Sequence, residues 1–210
     1  MAIKGMIFDM DGTLANTLPA VLKALREMFA HFTGREYADA EIPAMFGPSE
    51  EGMIRLRVAE GDYPAALETF LDRYAAYHAE NEPFPGVVRL LKTLEARGIR
   101  RAIVTGKGPG TAEISMRLLE FAPYIETLVT GSPNGAAKPE AIRQVLDAWN
   151  LSPAEAAYVG DVPYDMQAAR EAGVLPLGAA WAKTASVREG DGAARLFYSV
   201  EELIEWVGSI

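Results

Sequence analysis

The chain has 210 residues, 50% of them hydrophobic, which is enough for a sizeable core in one domain or in one domain with an insertion. It has no cysteine, so disulfides, thiol chemistry and zinc–thiolate sites are excluded. Its net charge of −9, without a basic block, argues against nucleic acid and anionic membrane surfaces as partners.

The opening stretch, MAIKGMIF, is too short for the apolar region of a signal peptide, and no apolar run approaches the ~18 residues that span a bilayer. A soluble, cytoplasmic protein is expected. Within that opening, residues 3–8 read as a short buried strand, directly followed by Asp9 and Asp11. One aspartate at a strand end can cap a helix. Two of them, flanking a single residue, call for a cation or a chemical role.

Helical spacing then runs through Leu18, Val21, Leu22, Leu25, Met28, Phe29 and Phe32, and later through Leu67, Phe70, Leu71, Tyr74 and Tyr77. A third apolar helix is expected through Met53, Ile54, Leu56 and Val58, after the turn Gly47-Pro48-Ser49. No strand is expected in this interval, and Pro83-Phe84-Pro85-Gly86 returns the chain to the core. Residues 1–14 and 85–210 are therefore read as one α/β domain, and residues 15–84 as a helical insertion into it.

Beyond the insertion, a helix carrying Val87, Leu90, Leu91 and Leu94 leads into an apolar strand at Arg101–Val104, which ends in Thr105-Gly106-Lys107. A strand at Thr127–Val129 precedes Ala137-Lys138-Pro139, where the proline suits the first turn of a helix carrying Ile142, Val145, Leu146 and Trp149. A strand at Ala156–Val159 runs into Gly160-Asp161-Val162-Pro163-Tyr164-Asp165, and a last one covers Val174–Leu177. Strands that are apolar throughout, alternating with helices, predict a Rossmann-like parallel sheet covered on both faces. In such sheets ligands bind beyond the carboxyl ends of the strands.

Taken singly, a Thr-Gly is a turn, a Lys before Pro is solvated, and an Asp before a helix is its cap. A parallel sheet brings all four sets to one edge. There Asp9, Asp11 and Asp161 offer oxygen ligands to a hard cation such as Mg²⁺, Thr105 and nearby amides can hold phosphate oxygens, and Lys138 can offset negative charge.

The chain resembles the haloacid dehalogenase superfamily of phosphatases. Asp9-Met10-Asp11-Gly12-Thr13-Leu14 matches the first family motif, Thr105 the second, Lys138 the third, and Gly160-Asp161 with Asp165 the fourth. Motif order and the position of the cap agree over nearly the whole chain, and the phosphoglycolate phosphatase-like group is the nearest in kind. Asn16-Thr17, Gly106 and Val162 depart from residues common in relatives, which bears on the supporting hydrogen bonds and on the substrate.

The resemblance implies a phosphoric monoester hydrolase acting on a small phosphorylated metabolite, a phosphoglycolate-like monoester. Asp9 would be the nucleophile, forming an aspartyl-phosphate, and Asp11 the general acid and base. The metal would be held by Asp9, the Asp11 main-chain carbonyl and Asp161. Asp165 would orient Lys138 or a metal-bound water, and Thr105 and Gly106 would hold the transferring phosphoryl group.

Lys107 is either a helper at the phosphate or a solvated side chain. Arg55 or Arg57, after the turn Phe46-Gly47-Pro48-Ser49, is a candidate partner for a substrate carboxylate. His31 and His78 read as surface or packing residues, Trp149 and Trp206 as core, and Trp181 as core or rim. Asp11 argues against a haloalkanoate dehalogenase. A sugar-phosphate mutase and a non-catalytic metal- and phosphate-binding module are the alternatives. A monomer or a homodimer is compatible with all of these readings.

Overall fold

A computed structural model describes residues 2–38, 40–135 and 137–210. The strands are β1 (Gly5–Phe8), β2 (Arg100–Val104), β3 (Thr127–Val129), β4 (Ala156–Gly160), β5 (Leu175–Ala179) and β6 (Arg195–Phe197). The helices are α1 (Leu18–Thr33), α2 (Glu50–Arg55), α3 (Tyr63–His78), α4 (Val87–Ala96), α5 (Pro109–Leu118), α6 (Lys138–Trp149), α7 (Pro163–Ala172) and α8 (Val200–Ser209). All strand pairs are parallel, in the order β3-β2-β1-β4-β5-β6. The chain order reverses between β1 and β4, and a crevice opens beyond the strand ends at such a reversal.

The central strands are buried on both faces because successive side chains point to opposite sides. Met6, Phe8, Ile103 and Val159 pack with Leu90 and Leu94 of α4 and Leu203 of α8. Ile7, Ala102, Val104 and Tyr158 pack with Ile142 and Val145 of α6 and Ala168 of α7. The expected α/β architecture is therefore present.

Helices α1, α2 and α3 build a separate apolar cluster around Val21, Leu25, Met28, Phe29, Met53, Phe70 and Tyr74. Burying each large side chain there contributes about 1.5–3 kcal/mol. A bridge between Ala15 and Pro83, with the Phe84 amide donating to the Leu14 carbonyl at 2.9 Å, holds the two connections to the sheet side by side.

Two details differ from the sequence expectation. The third helix of the insertion stops at Arg55, leaving Leu56 72% exposed, because the chain turns there before Val58 re-enters the cluster. β6 lies outside the sequence expectation: beside an exposed Arg195 it offers only Leu196 and Phe197 as apolar residues, too short a run to mark a strand. Among the described residues, no helix is long and apolar enough to cross a membrane.

Candidate active site

The carboxyl ends of β1, β2 and β4 converge on a cavity of about 520 Å³ between the sheet edge and the helical insertion. Asp9, Asp11, Thr105, Gly106, Lys107, Lys138 and Asp161 all line it, together with Leu18, Phe46, Glu50 and Met53 from the insertion. Its size lies within the usual range for small-molecule sites.

Asp9 leaves β1 with its amide still in the ladder, donating to the Val159 carbonyl at 2.9 Å. Its carboxylate is buried; Oδ2 lies 3.2 Å from Lys138 Nζ, and Oδ1 has no hydrogen-bond partner. The turn beyond it depends on Gly12, which has φ +77°. A Cβ there would stand 2.6 Å from the Asp161 carboxyl carbon, so glycine lets the first loop lie against β4. Thr13 Oγ1 donates to Asp161 Oδ1 at 3.4 Å, and the Ser186 and Val187 amides both hold the Asp161 carbonyl at 2.9 Å.

Lys138 opens α6, where a cation opposes the helix dipole. Its position is maintained by Asp165, 2.5 Å away and fully buried, as well as by Asp9. Asp165 is itself fixed, with Oδ2 accepting from the Asp161 amide at 3.0 Å and the Val162 amide at 3.2 Å. The two acids hold the Lys138 ammonium well above its ordinary range despite its burial.

Asp9, Asp161 and Asp165 each bring a carboxylate oxygen within 4.8 Å of the others. With no ion bound, burial raises Asp9 from 3.8 to about 7, against the opposing pull of Lys138. Burial, then repulsion from Asp9 and Asp165, raises Asp161 from 3.8 to about 8. The partnerless Asp9 oxygen and this mutual repulsion fit a hard divalent cation. Because both Asp165 oxygens are already engaged, Asp9 and Asp161 are the carboxylates free to hold it.

The Asp11 side chain turns away from this cluster towards the insertion. Its Oδ1 accepts from the Thr17 hydroxyl, and Oδ2 lies 3.1 Å from Lys107 Nζ. Thr17 is the N-cap of α1 but makes no capping hydrogen bond, its hydroxyl being committed to Asp11. Lys107 is not solvated: its side chain is 1% exposed and lies over the Tyr74 ring, 4.7 Å from the centroid. Asp11, Tyr74 and Glu50 together raise the Lys107 ammonium above its usual range despite burial. Thr105 Oγ1 accepts from the Lys107 amide at 3.2 Å, which leaves its proton available to a ligand.

Sequence reasoning missed Glu50 and Tyr74, which reach the site only through tertiary contact, while Thr17, singled out as a departure from relatives, bonds Asp11 six residues before it. The structure does not bring Arg55 and Arg57 to the cavity. Arg55 stacks over Tyr63 at 4.1 Å, and Arg57 donates to the Met53 carbonyl at 3.2 Å. His78 is fully buried with its ring edge-on to Tyr74, and Trp181 donates to the Thr13 carbonyl at 3.1 Å.

A model of the haloacid dehalogenase-like hydrolases matches residues 6–179. The chain is 29% identical over 220 residues to the phosphoglycolate phosphatase of Rhodospirillum rubrum, covering 98% of this chain and 91% of that one. It is 27% identical over 188 residues to the pyrophosphatase PpaX of Anoxybacillus flavithermus, covering 86% and 85% respectively. In fold it is similar to CbbY from Rhodobacter sphaeroides, solved in complex with phosphate, with a TM-score of 0.81, 23% identity and 96% of each chain covered.

Proposed function

The chain belongs to the haloacid dehalogenase-like hydrolase family and is a phosphatase, and from that premise we propose that it cleaves small phosphomonoesters through an aspartyl-phosphate on Asp9, with Mg²⁺ as cofactor. The observation that supports this best is the Asp9 carboxylate: buried, facing the cavity, flanked by Lys138, and with one oxygen unpartnered.

In this reading the Asp9 carboxylate attacks phosphorus and the ester P–O bond breaks. Asp11 protonates the departing alkoxide. Asp11 then takes a proton from water, which attacks the same phosphorus; the bond to Asp9 breaks and the carboxylate is regenerated. Lys138 neutralises charge between Asp9 and the phosphoryl group, while Thr105 and the Gly106 amide hold its oxygens. Mg²⁺, held by Asp9, Asp161 and the Asp11 main-chain carbonyl, would supply positive charge to offset the negative charge of the incoming phosphate. Asp165 fixes Lys138 in place.

Residues 15–84 act as the cap domain over the core formed by 1–14 and 85–210. A monomer or a homodimer is compatible with this reading. An acidic, cysteine-free chain suits the cytoplasm.

The test is phosphate release by wild type and Asp9→Asn, combined with borohydride trapping during turnover. Mass spectrometry should find homoserine at residue 9 in the wild type. Near-normal turnover by Asp9→Asn would reject the covalent route.

A further inference from the structure

The insertion covers the site with hydrocarbon. Leu18, Val21, Phe46, Pro48 and Met53 form the wall opposite the strand ends, and Phe46 remains 44% exposed. Among the described residues, the one charged group on this wall is an acid, Glu50, whose carboxylate is buried and accepts from the Gly108 amide at 2.6 Å and the Thr111 hydroxyl at 3.1 Å.

Among the described residues lining the cavity, the cations are Lys107 and Lys138. Lys138 is paired with Asp9 and Asp165, and in the proposed mechanism its charge is used on the phosphoryl group at Asp9. Lys107 is sequestered against Asp11 and the Tyr74 ring, its side chain 1% exposed. A second negative charge on the substrate, beyond the phosphate, would therefore lose its hydration without gaining a partner, and it would face Glu50. Leaving a buried charge unpaired is costly, whereas a hydrocarbon surface gains from leaving water.

We infer that the preferred substrates are phosphomonoesters whose leaving group is uncharged and carries hydrocarbon surface, seated against Leu18, Val21, Met53 and Phe46, rather than phosphorylated carboxylic acids or pyrophosphate. This rests on the phosphatase reading above and narrows it. The volume agrees: about 520 Å³ holds considerably more than a two-carbon acid.

The test compares kcat/KM for isohexyl phosphate with that for γ-phosphooxybutyrate, nearly the same shape but ending in a carboxylate, alongside phosphoglycolate, pyrophosphate and 4-nitrophenyl phosphate. The uncharged ester should exceed the carboxylated one by about tenfold or more. Leu18→Lys should narrow or invert that ratio, and Leu18→Gln, polar but uncharged, should not raise turnover of the carboxylated ester. Equal or faster hydrolysis of γ-phosphooxybutyrate, phosphoglycolate or pyrophosphate by wild type would overturn the inference and leave the phosphatase reading standing. Release of phosphate from none of the five compounds would overturn both.

Discussion

Asp11 and Lys107 show how a few side chains divide the work. Asp11 is separated from the acid cluster by a single turn of backbone, yet its carboxylate is held by Thr17 and Lys107 rather than by the groups around Asp9. Lys107→Met removes the ion partner and leaves Asp11 free to reorient. kcat should fall by about 10²-fold, the lower end of what acid–base help contributes, with KM for an aryl phosphate little changed. Lys107→Arg should restore part of kcat; an unaltered kcat in Lys107→Met would remove the positioning role. The raised Asp9 and Asp161 values make a second prediction. Both are acids that ionise near 3.8 when unfolded, so the ion-free folded chain binds more protons than the unfolded one. Its stability should therefore decline as pH rises from about 4 to about 8. Mg²⁺ favours the ionised pair, so the rise in Tm on adding it should be larger at pH 8 than at pH 5, with a stabilisation of about 2.7 kcal/mol at a hundredfold excess over Kd. Comparing the protein with and without Mg²⁺ at each pH cancels His78, whose burial lowers its pKa and gives the opposite slope. Equal Tm shifts at both pH values would contradict a site on these two acids.

Helix α2 docks on the core by supplying what another helix lacks. The N-cap of α5 is Gly108, which has no side chain to bond its first turn. Glu50 takes the Gly108 amide and the Thr111 hydroxyl instead, and Glu51 accepts from the Gly110 amide at 3.4 Å. Acids at a helix N-terminus are favoured by the dipole as well as by the hydrogen bonds. Close approach is possible because Gly52 lies against the 130–135 loop, where a Cβ would stand 2.8 Å from the Pro133 Cα. Elsewhere, in the α3–α5 contact, Tyr74 of α3 hydrogen-bonds Ser115 of α5 at 2.7 Å. Gly52→Val should lift α2 from this seat. Turnover of small esters should drop by about tenfold or more, since positioning depends on the closed wall, while the sheet stays folded by circular dichroism. Tyr74→Phe removes one buried hydrogen bond and should cost about 1 kcal/mol in a denaturant titration. Unchanged turnover in Gly52→Val would mean that the α2 contact does not matter for catalysis.

At the scale of the whole molecule, two cores meet at the reactive edge, one built on the sheet and one made by α1, α2 and α3. With the helical cluster beside the strand ends and Asp9 buried in the cavity between them, a phosphate displayed on a folded protein is expected to be hindered from reaching Asp9. Intact phosphoproteins should be hydrolysed at least about 10²-fold more slowly than free esters, as expected of a lid that sequesters its site; comparable rates would refute a closed cap.

The sequence by itself determined the alternation of apolar strands and helices, and it marked Asp9, Asp11, Thr105, Lys138 and Asp161 as residues that a parallel sheet carries to one edge. These signals are local: each residue follows directly on a strand or opens a helix, and parallel pairing does the rest. Only the tertiary structure decided which way Asp11 turns, that Lys107 is sealed beneath Tyr74, and that Glu50 reaches the cavity while Arg55 and Arg57 do not. Which face α2 shows to the site depends on where Gly52 meets Pro133, a contact between segments about 80 residues apart that no periodicity within six residues of helix can encode.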